Sequence, residues 1–217
     1  MKKEYAAEDM NRLLLSLCQV CFEEKERLTD IDSHLGDGDM GISMSRGAAA
    51  VESEIKKWDG RQRDMTKMVL NYACAFNRAA PSTLGTLLSF SMMAVAKEID
   101  HREKVEENQL PFLAKTFADT ICRKGKAKEG DKTILDALLP WTRCFECEMA
   151  AGKSLQESLG KASDEALAGM ERTKGMEART GRASWLDGRN KEYPDGGAVL
   201  CAAAGRKMAG QGRLLEE

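Results

Sequence analysis

The sequence predicts an all-α fold, an antiparallel bundle or closed barrel of eight helices, and three observations support it. Apolar residues recur at helical spacing along nearly the whole chain, the alternation typical of strands is scarce, and only 4 of the 217 residues are proline. The short connections between the predicted helices favour antiparallel neighbours. No repeat or linker divides the chain, so residues 1–217 are expected to form one domain.

The first predicted helix runs from Ala6 to Leu28, because Leu14, Cys18 and Phe22 repeat on one face. An acidic loop follows it, and a second helix begins near Gly41. No strand is predicted. The remaining predicted helices are Gln62–Asn77, Thr83–Ile99, Leu110–Lys124, Lys132–Cys147, Leu155–Arg172 and Gly197–Met208.

Two polar segments that interrupt the apolar helices are interpreted first as helix caps. Ser82 or Thr83 can cap the helix that follows Pro81, and Asp131 can cap a helix beginning at Lys132. Because the N-terminus of a helix attracts anions, these caps and the acidic loop together indicate that one rim of the bundle can hold an anion.

The acidic loop, residues 30–41, has the sequence DIDSHLGDGDMG. Its glycines alternate with Asp37 and Asp39 and leave the backbone free to bring carboxylates together. Hard divalent cations prefer such oxygen ligands. The alternative is a solvated turn whose aspartates cap the next helix. A calcium-binding EF-hand is excluded, because Leu35 stands where that loop needs Gly and Gly41 stands where it needs a bidentate Glu.

Charge and composition argue against two classes of partner. The formal net charge is -2 and the charges are spread along the chain, so there is no basic stripe for nucleic acid. The first ten residues lack the apolar core of a signal peptide, and no apolar run approaches the roughly 18 residues of a membrane span. We expect a soluble, cytoplasmic protein with no nucleic-acid or membrane partner.

The seven cysteines are an odd number and lie mostly in apolar helical stretches, which favours reduced thiols over a disulfide framework. Cys18 and Cys21 form one CxxC pair, and Cys144 and Cys147 form another, so a zinc-stabilised helical scaffold is one alternative. The two pairs are far apart in predicted helices, where buried cysteine is common, and this disfavours zinc.

The connection from Thr173 to Gly196 is too long for a plain turn. It contains the segments GRASW and PDGG, which bring an arginine, an aromatic ring and a flexible acidic turn into one loop. Long loops in compact domains are often functional, and we interpret this one as part of the site.

Four segments occur together in the order and spacing of one known family. They are residues 28–47, residues 130–140 beginning GDKT, residues 181–184 (GRAS) and residues 195–198 (DGGA). On these segments the chain resembles, over nearly its full length, the nucleotide-binding L subunit of dihydroxyacetone kinase. The resemblance implies an eight-helix barrel whose rim holds ADP or ATP through two magnesium ions.

By this resemblance, Asp32, Asp37 and Asp39 would bind both magnesium ions and carry the phosphoryl-transfer chemistry, which leaves Asp30 as an accessory or capping residue. A larger set would contact the nucleotide, at the phosphates, around the adenosine and from the long loop. These residues are Met40, Gly41, Ile42 and Ser43; Ala79 and Ala80; Gly125 and Ile134; and Arg182, Asp195, Gly196 and Gly197.

The chain also departs from the family pattern. Members usually have His in place of Met40, a Thr-Asn pair in place of Ile42-Ser43, and a Gly-Ala-Ser-Gly segment in place of Arg78–Pro81. Flexible, close-approach positions are thereby replaced by a cation and a rigid ring. The metal-binding residues are kept while phosphate contacts change, which indicates a divergent paralogue.

The resemblance implies half of an enzyme. A separate K-type subunit would hold dihydroxyacetone, or another short ketose, covalently through a histidine. This chain has only His34 and His101, which disfavours a phosphohistidine relay within it. The phosphoryl donor is either ATP or, with a slight preference, ADP rephosphorylated in place by a phosphocarrier protein of the phosphotransferase system. A homodimer and a non-catalytic Mg-nucleotide sensor are the alternatives for assembly and for function.

Overall fold

The computed structural model describes residues 4–180 and 191–216, with side chains described as far as residue 210. It confirms the all-α class, with nine helices in these residues. The helices are α1 (Ala7–Glu23), α2 (Lys25–Leu35), α3 (Met40–Lys56), α4 (Met65–Ala79), α5 (Thr83–Ile99), α6 (Leu110–Gly125), α7 (Leu135–Ala150), α8 (Leu155–Arg172) and α9 (Gly196–Glu216).

Eight of the nine described helices form a closed ring. Each packs against the next in the order α1, α3, α4, α5, α6, α7, α8 and α9, and α9 packs back against α1. The remaining helix, α2, packs on α3 and also contacts α9. Fully buried apolar side chains from several helices fill the core, among them Met44, Tyr72, Ile121, Leu135 and Val199. None of the described helices is long and apolar enough to cross a membrane.

The predicted first helix, Ala6–Leu28, is two helices in the structure. The chain bends at Glu24, where φ is −88° and ψ is 0°. The Glu24 N–H still donates to the Val20 carbonyl at 2.9 Å, so the bend costs little hydrogen bonding. Residues 23–27 are all charged and include no Gly or Pro, so no breaker in the sequence marks the bend, and the pattern predicts one helix.

The second of these helices, α2, corrects the predicted limits of the acidic loop. Leu28, Ile31 and Leu35 are buried at helical spacing, so the helix continues to Leu35. Asp30 and Asp32 therefore lie on a helix. Only residues 36–39 form the turn between α2 and α3.

The prediction that there is no strand was wrong. Two three-residue strands, β1 (Glu4–Ala6) and β2 (Lys104–Glu106), pair antiparallel. Tyr5 lies opposite Val105, and both side chains are buried. Three residues are too few to show the alternation by which a strand is recognised in a sequence.

Helix α7 begins at Leu135, three residues later than predicted. Lys132 has φ of 59°, in the left-handed region, so the helix cannot include it. Asp131 does not cap α7. Its side chain accepts from the Lys128 N–H at 2.9 Å. The prediction for Ser82 is confirmed, since its hydroxyl caps α5 by accepting from the Gly85 N–H at 3.1 Å.

The remaining predicted helices are all present, but the last one, predicted as Gly197–Met208, runs from Gly196 to Glu216. Thr83–Ile99 and Leu155–Arg172 are confirmed at both ends. The predicted Gln62–Asn77 helix is shifted to Met65–Ala79, because Asp64 caps it by accepting from the Lys67 N–H.

Close packing of α7 against α8 gives a first testable prediction. A Cβ on Gly169 of α8 would lie 2.1 Å from the Asp136 carbonyl oxygen of α7, so Gly169→Ala should push the helices apart. We expect it to lower the free energy of unfolding by about 1–3 kcal/mol in urea denaturation.

Gly160→Ala in the same helix is the matched control, because a Cβ there would meet nothing within 4 Å. This change should be neutral or raise the free energy of unfolding by up to about 1 kcal/mol, because Ala favours helix over Gly. Equal effects of the two changes would contradict the packing argument.

Candidate functional site

Three aspartates converge at the junction of α2 and α3. Asp32 lies on α2, and Asp37 and Asp39 lie in the turn that follows. One carboxylate oxygen of each lies within 4.8 Å of the others. Among the described residues, this is the one group of three or more His, Cys, Asp or Glu side chains arranged closely enough to hold a metal ion. A set of oxygen donors alone suits a hard cation such as Mg²⁺.

The local backbone holds this cluster together. Asp32 Oδ2 accepts hydrogen bonds from the N–H groups of Asp39 at 2.9 Å and Met40 at 3.1 Å. These groups stand at the start of α3, where the N–H groups have no partner within the helix. Asp32 thus caps α3 from another helix, which fixes its carboxylate and brings the turn back onto α2.

Two glycines make the tight turn possible. A Cβ on Gly36 would lie 2.6 Å from Asp32 Oδ1, so a larger residue would displace that carboxylate. Gly38 has φ of 73°, which side-chained residues rarely adopt. The turn therefore depends on both glycines for the convergence of the aspartates.

The first turn of α3 lies beside the start of α5. The hydroxyl of Ser43 donates to that of Ser82 at 3.3 Å. Gly41 and Ser43 are buried, whereas Ile42 is exposed. Two helix N-termini, each with a partial positive charge, are thus neighbours next to the aspartates.

The predicted residues of the α4–α5 connection follow the same rim. Ala79 is the last residue of α4, and Ala80 is completely buried after it. Arg78 and Pro81 are both exposed.

The start of α9 reaches the same end of the molecule through Met40. A Cβ on Gly196 would lie 2.6 Å from Met40 Sδ, so the Met40 side chain packs on α9. A Cβ on Gly197 would lie 3.0 Å from Ile134 Cβ, just before α7 begins. Asp195 caps α9 by accepting from the Ala198 N–H at 2.7 Å. The structure therefore brings the N-termini of α3, α5, α7 and α9 to one rim.

Two other predicted residues are placed differently. Gly125 ends α6, where a Cβ would lie 3.4 Å from Leu87 Cδ1, so it belongs to the α5–α6 side of this end. Arg182 lies outside the described residues.

Sequence reasoning missed two residues of this end. Lys132 is buried, with 2% of its surface exposed, and its ammonium group donates to the Tyr193 carbonyl at 2.8 Å. The Tyr193 ring stacks on His34 with the centroids 4.2 Å apart. Lys132 stood in the GDKT segment, but a lysine in a polar loop gives no sign that it will be buried.

Asp195 has an unusual protonation equilibrium. Burial raises its pKa to about 7, and the carboxylate of Asp136 adds to this rise. The hydrogen bond from Ala198 and the charge of Lys132 oppose it. The carboxyl group of Asp195 is thus divided between its two forms near neutral pH.

The structure does not support a zinc site. Cys18 and Cys21 lie on α1, whereas Cys144 and Cys147 lie on α7, and no cluster of candidate ligands in the described residues includes them. Burial raises the pKa of both Cys18 and Cys21 to about 12, which keeps them as thiols.

Residues 34–210 match the DAK2 domain family. Triokinase/FMN cyclase of Mus musculus is 30% identical over 202 residues, which are 93% of this chain and 34% of the relative. L-erythrulose kinase of Pectobacterium atrosepticum is 28% identical over 79% of this chain and 29% of its own length. The chain spans about a third of the length of these two relatives.

A third relative is similar in length. It is the ADP-binding subunit DhaL of the PEP-dependent dihydroxyacetone kinase of Escherichia coli, which is 28% identical over 81% of this chain and 83% of the relative. The crystal structure of the dihydroxyacetone kinase of C. freundii with AMP-PNP and Mg²⁺ superposes with a TM-score of 0.73. It is 20% identical and covers 97% of this chain and 35% of its own, so the helical fold is shared.

The raised pKa of Asp195 gives a testable pH dependence. Below about pH 3 the group is mostly protonated in both the folded and the unfolded chain. As the pH rises to about 7, the unfolded chain loses this proton first, so the wild-type protein loses stability over that interval. Asp195→Asn keeps the helix cap without the charge. Its free energy of unfolding should therefore rise relative to wild type by about 2–4 kcal/mol between pH 4 and pH 8.

Thermal and urea unfolding at several pH values would measure this difference. Asp164→Asn, at an exposed position on α8, is the control and should not gain stability relative to wild type as the pH rises. A constant difference between Asp195→Asn and wild type at every pH would contradict the buried-carboxyl argument.

Proposed function

Because the chain belongs to the DAK2 domain family, we propose that it is the nucleotide-binding, phosphoryl-transferring part of a short-ketose kinase. The main support is the convergence of Asp32, Asp37 and Asp39 beside several helix N-termini. Carboxylates attract divalent cations and helix N-termini attract phosphate, so one end of the barrel offers both parts of a Mg-nucleotide site.

The three aspartates would hold Mg²⁺, two ions in our proposal, and their donor set fits because it consists of oxygen alone. Bound there, magnesium would neutralise polyphosphate charge and polarise the transferred group. Asp32 presents its carboxylate in a fixed direction, since two backbone N–H groups already hold it. Asp37 and Asp39 are exposed on the turn that Gly38 forms.

ADP or ATP would lie across the rim. The segment Met40–Ser43 would lie against the phosphates, with Ala79 and Ala80 beside it. The Met40 and Ser43 N–H groups already donate to Asp32 and to the Asp39 carbonyl, so the backbone contacts from α3 would come from Gly41 and Ile42, joined by N–H groups at the start of α5. Gly125 and Ile134 would border the adenosine. Asp195, Gly196 and Gly197 would complete the site at the start of α9, and Arg182 would contribute from the same connection.

The acceptor in this proposal is dihydroxyacetone or a related short ketose on a separate K-type subunit. Support comes from relatives, since one is named as an ADP-binding subunit of a dihydroxyacetone kinase and another as an erythrulose kinase. Of the two histidines, His34 stacks on Tyr193, and His101 Nδ1 lies within hydrogen-bonding distance of Asp64 Oδ2, at 2.8 Å. These contacts give neither ring a ketose-binding role.

The identity of the phosphoryl donor distinguishes two versions of this proposal. Exchangeable ATP would be bound and released in each cycle. In the preferred version, ADP stays in place and a phosphocarrier protein rephosphorylates it, as the PEP-dependent naming of the similar Escherichia coli subunit suggests. A complex with the K-type subunit through the loop-rich rim is the expected assembly.

A non-catalytic Mg-nucleotide sensor is the second candidate, and the packing of Met40 favours it. The Met40 side chain lies against Gly196, and a thioether is a weak hydrogen-bond acceptor that cannot donate to a phosphate. Such a module would bind the nucleotide but transfer nothing to a ketose.

The deciding experiment has two stages. Calorimetric titration of the purified chain with ADP and ATP, with and without Mg²⁺ and after a check for carried-over nucleotide, tests binding. The protein loaded with ATP and Mg²⁺ is then mixed with a K-type subunit and either dihydroxyacetone or erythrulose, and the sugar phosphate formed is measured. Binding followed by transfer supports the kinase, binding alone supports the sensor, and no binding under any condition overturns both.

Removal of one carboxylate ligand should greatly weaken the magnesium-dependent binding of ADP. Asp37→Asn or Asp39→Asn takes away an anionic oxygen, and we expect the magnesium-dependent affinity for ADP to fall at least about tenfold. Circular dichroism should show unchanged helical content, because both residues lie in an exposed turn.

Asp30→Asn is the matched control for these variants. Asp30 is in the same acidic segment, but its side chain is 73% exposed and lies 3.8 Å from His34, outside the group of three. Its ADP affinity should stay within about twofold of wild type, as for other exposed charges. If Asp37→Asn and Asp39→Asn both kept wild-type affinity, the aspartates would not be the metal ligands.

A further inference from the structure

Lys132 combines two unfavourable features in one residue. It is 2% exposed, and burial lowers the pKa of its ammonium group. Its backbone φ of 59° is also rare for a side-chained residue. Each feature costs free energy and persists only where the surrounding contacts require it.

The contacts of the ammonium group join the two ends of the α8–α9 connection. Lys132 Nζ donates to the Tyr193 carbonyl at 2.8 Å and to the Met176 carbonyl at 3.3 Å. Met176 lies shortly after α8 ends, and Tyr193 lies shortly before α9 begins. One side chain before α7 therefore fastens both parts of this connection.

Tyr193 connects Lys132 to the helix that carries Asp32. Its ring stacks on His34, which is on α2 two residues after Asp32. It is followed by Pro194 and by Asp195, which caps α9. A shift of Tyr193 would thus loosen its stack on the His34 ring and displace the start of α9, where Gly196 contacts Met40, while leaving the aspartates on their own backbone contacts.

Neighbouring contacts hold the same connection but do not replace Lys132. Arg179 N–H donates to the Asp131 carbonyl at 3.1 Å, and Asp195 N–H donates to Thr173 Oγ1 at 2.9 Å. The Arg179 bond ties one point of the connection to the segment before α7, whereas the Asp195 bond, like that of the Gly175 N–H to the Lys191 carbonyl at 2.8 Å, joins its two sides to each other. Lys132 differs in tying both sides to the segment before α7. Its charge also strengthens both of its hydrogen bonds in a setting with little water.

We infer that Lys132 is a positioning residue of the nucleotide site, which sets the start of α9 and Tyr193 against α2 without itself binding metal. The inference rests on the proposed function. It assigns to Lys132 a part in nucleotide affinity that acts through the contacts of Tyr193 and Asp195.

The test compares Lys132→Met with wild type in two titrations. Met keeps the length of the side chain but removes the charge and the donors. We expect the Mg-ADP dissociation constant to rise about tenfold or more, as for other residues that orient a binding group. The dissociation constant for Mn²⁺ alone, measured by electron paramagnetic resonance, should change less than about threefold, because Asp32, Asp37 and Asp39 remain in place.

Hydrogen–deuterium exchange of the nucleotide-free protein is the independent measurement. Residues 173–180 and 191–197 should exchange faster in Lys132→Met, while α4 and α5 should be unaffected. Lys191→Met is the matched control: it removes a cation from the same connection, but one that is 45% exposed and paired with Glu177. It should leave ADP affinity and exchange near wild type.

The outcomes separate this inference from the proposed function. Wild-type protein that binds no nucleotide overturns both. Wild-type binding with equal binding by Lys132→Met overturns the positioning role alone, and so does a parallel loss of Mn²⁺ affinity, which would show a general structural role. If Lys132→Met does not fold, the same titrations of Lys132→Arg and Lys132→Gln decide. Mg-ADP affinity that is kept in Lys132→Arg and lost in Lys132→Gln supports the positioning role of a cation at this position, and any other pattern overturns it.

Discussion

The Asp32 carboxylate accepts two backbone hydrogen bonds from the start of α3, and the arrangement of the functional end depends on this contact. It joins α2 to α3 and orients one ligand of the candidate metal site. It also brings Asp37 and Asp39 close to a third negative charge. That proximity is unfavourable without a cation, and the N-terminal end of α3 offsets part of the repulsion.

The rim is assembled from connections that are distant in sequence. Ser43 links α3 to α5, Met40 links α3 to α9, and Ile134 links α7 to α9. Because the eight-helix ring fixes where each helix ends, small contacts between short segments are enough to align four helix N-termini. The buried ammonium group of Lys132 and the carboxyl group of Asp195 lie within this rim, where their hydrogen bonds hold the α8–α9 connection and the start of α9.

The departures from the family pattern acquire a physical meaning in this setting. Met40 fills the space against Gly196 with an apolar side chain where a polar one is usual. Ser43 keeps a hydroxyl near Ser82, so a polar contact survives at the neighbouring position. Arg78 and Pro81 are exposed at the end of α4, where they change the outer edge of the site without entering the core. In the proposed function, these differences would alter phosphate contacts and leave the three aspartates unchanged.

By itself, the sequence determined the helical class, most helix limits and an acidic glycine-rich loop, within which the family resemblance singled out Asp32, Asp37 and Asp39. Apolar periodicity, Ser82 as a cap and the Gly-Asp-Gly-Asp turn are local signals, and a local signal is visible in a single chain. Tertiary structure alone decided the bend at Glu24, the late start of α7 and the two short strands. It also decided the burial of Lys132 and its bonds to Met176 and Tyr193. These features depend on which distant segments of the chain pack against each other. The free energy of burying a charge or a carboxyl group is set by those spatial neighbours and not by the adjacent residues in the sequence.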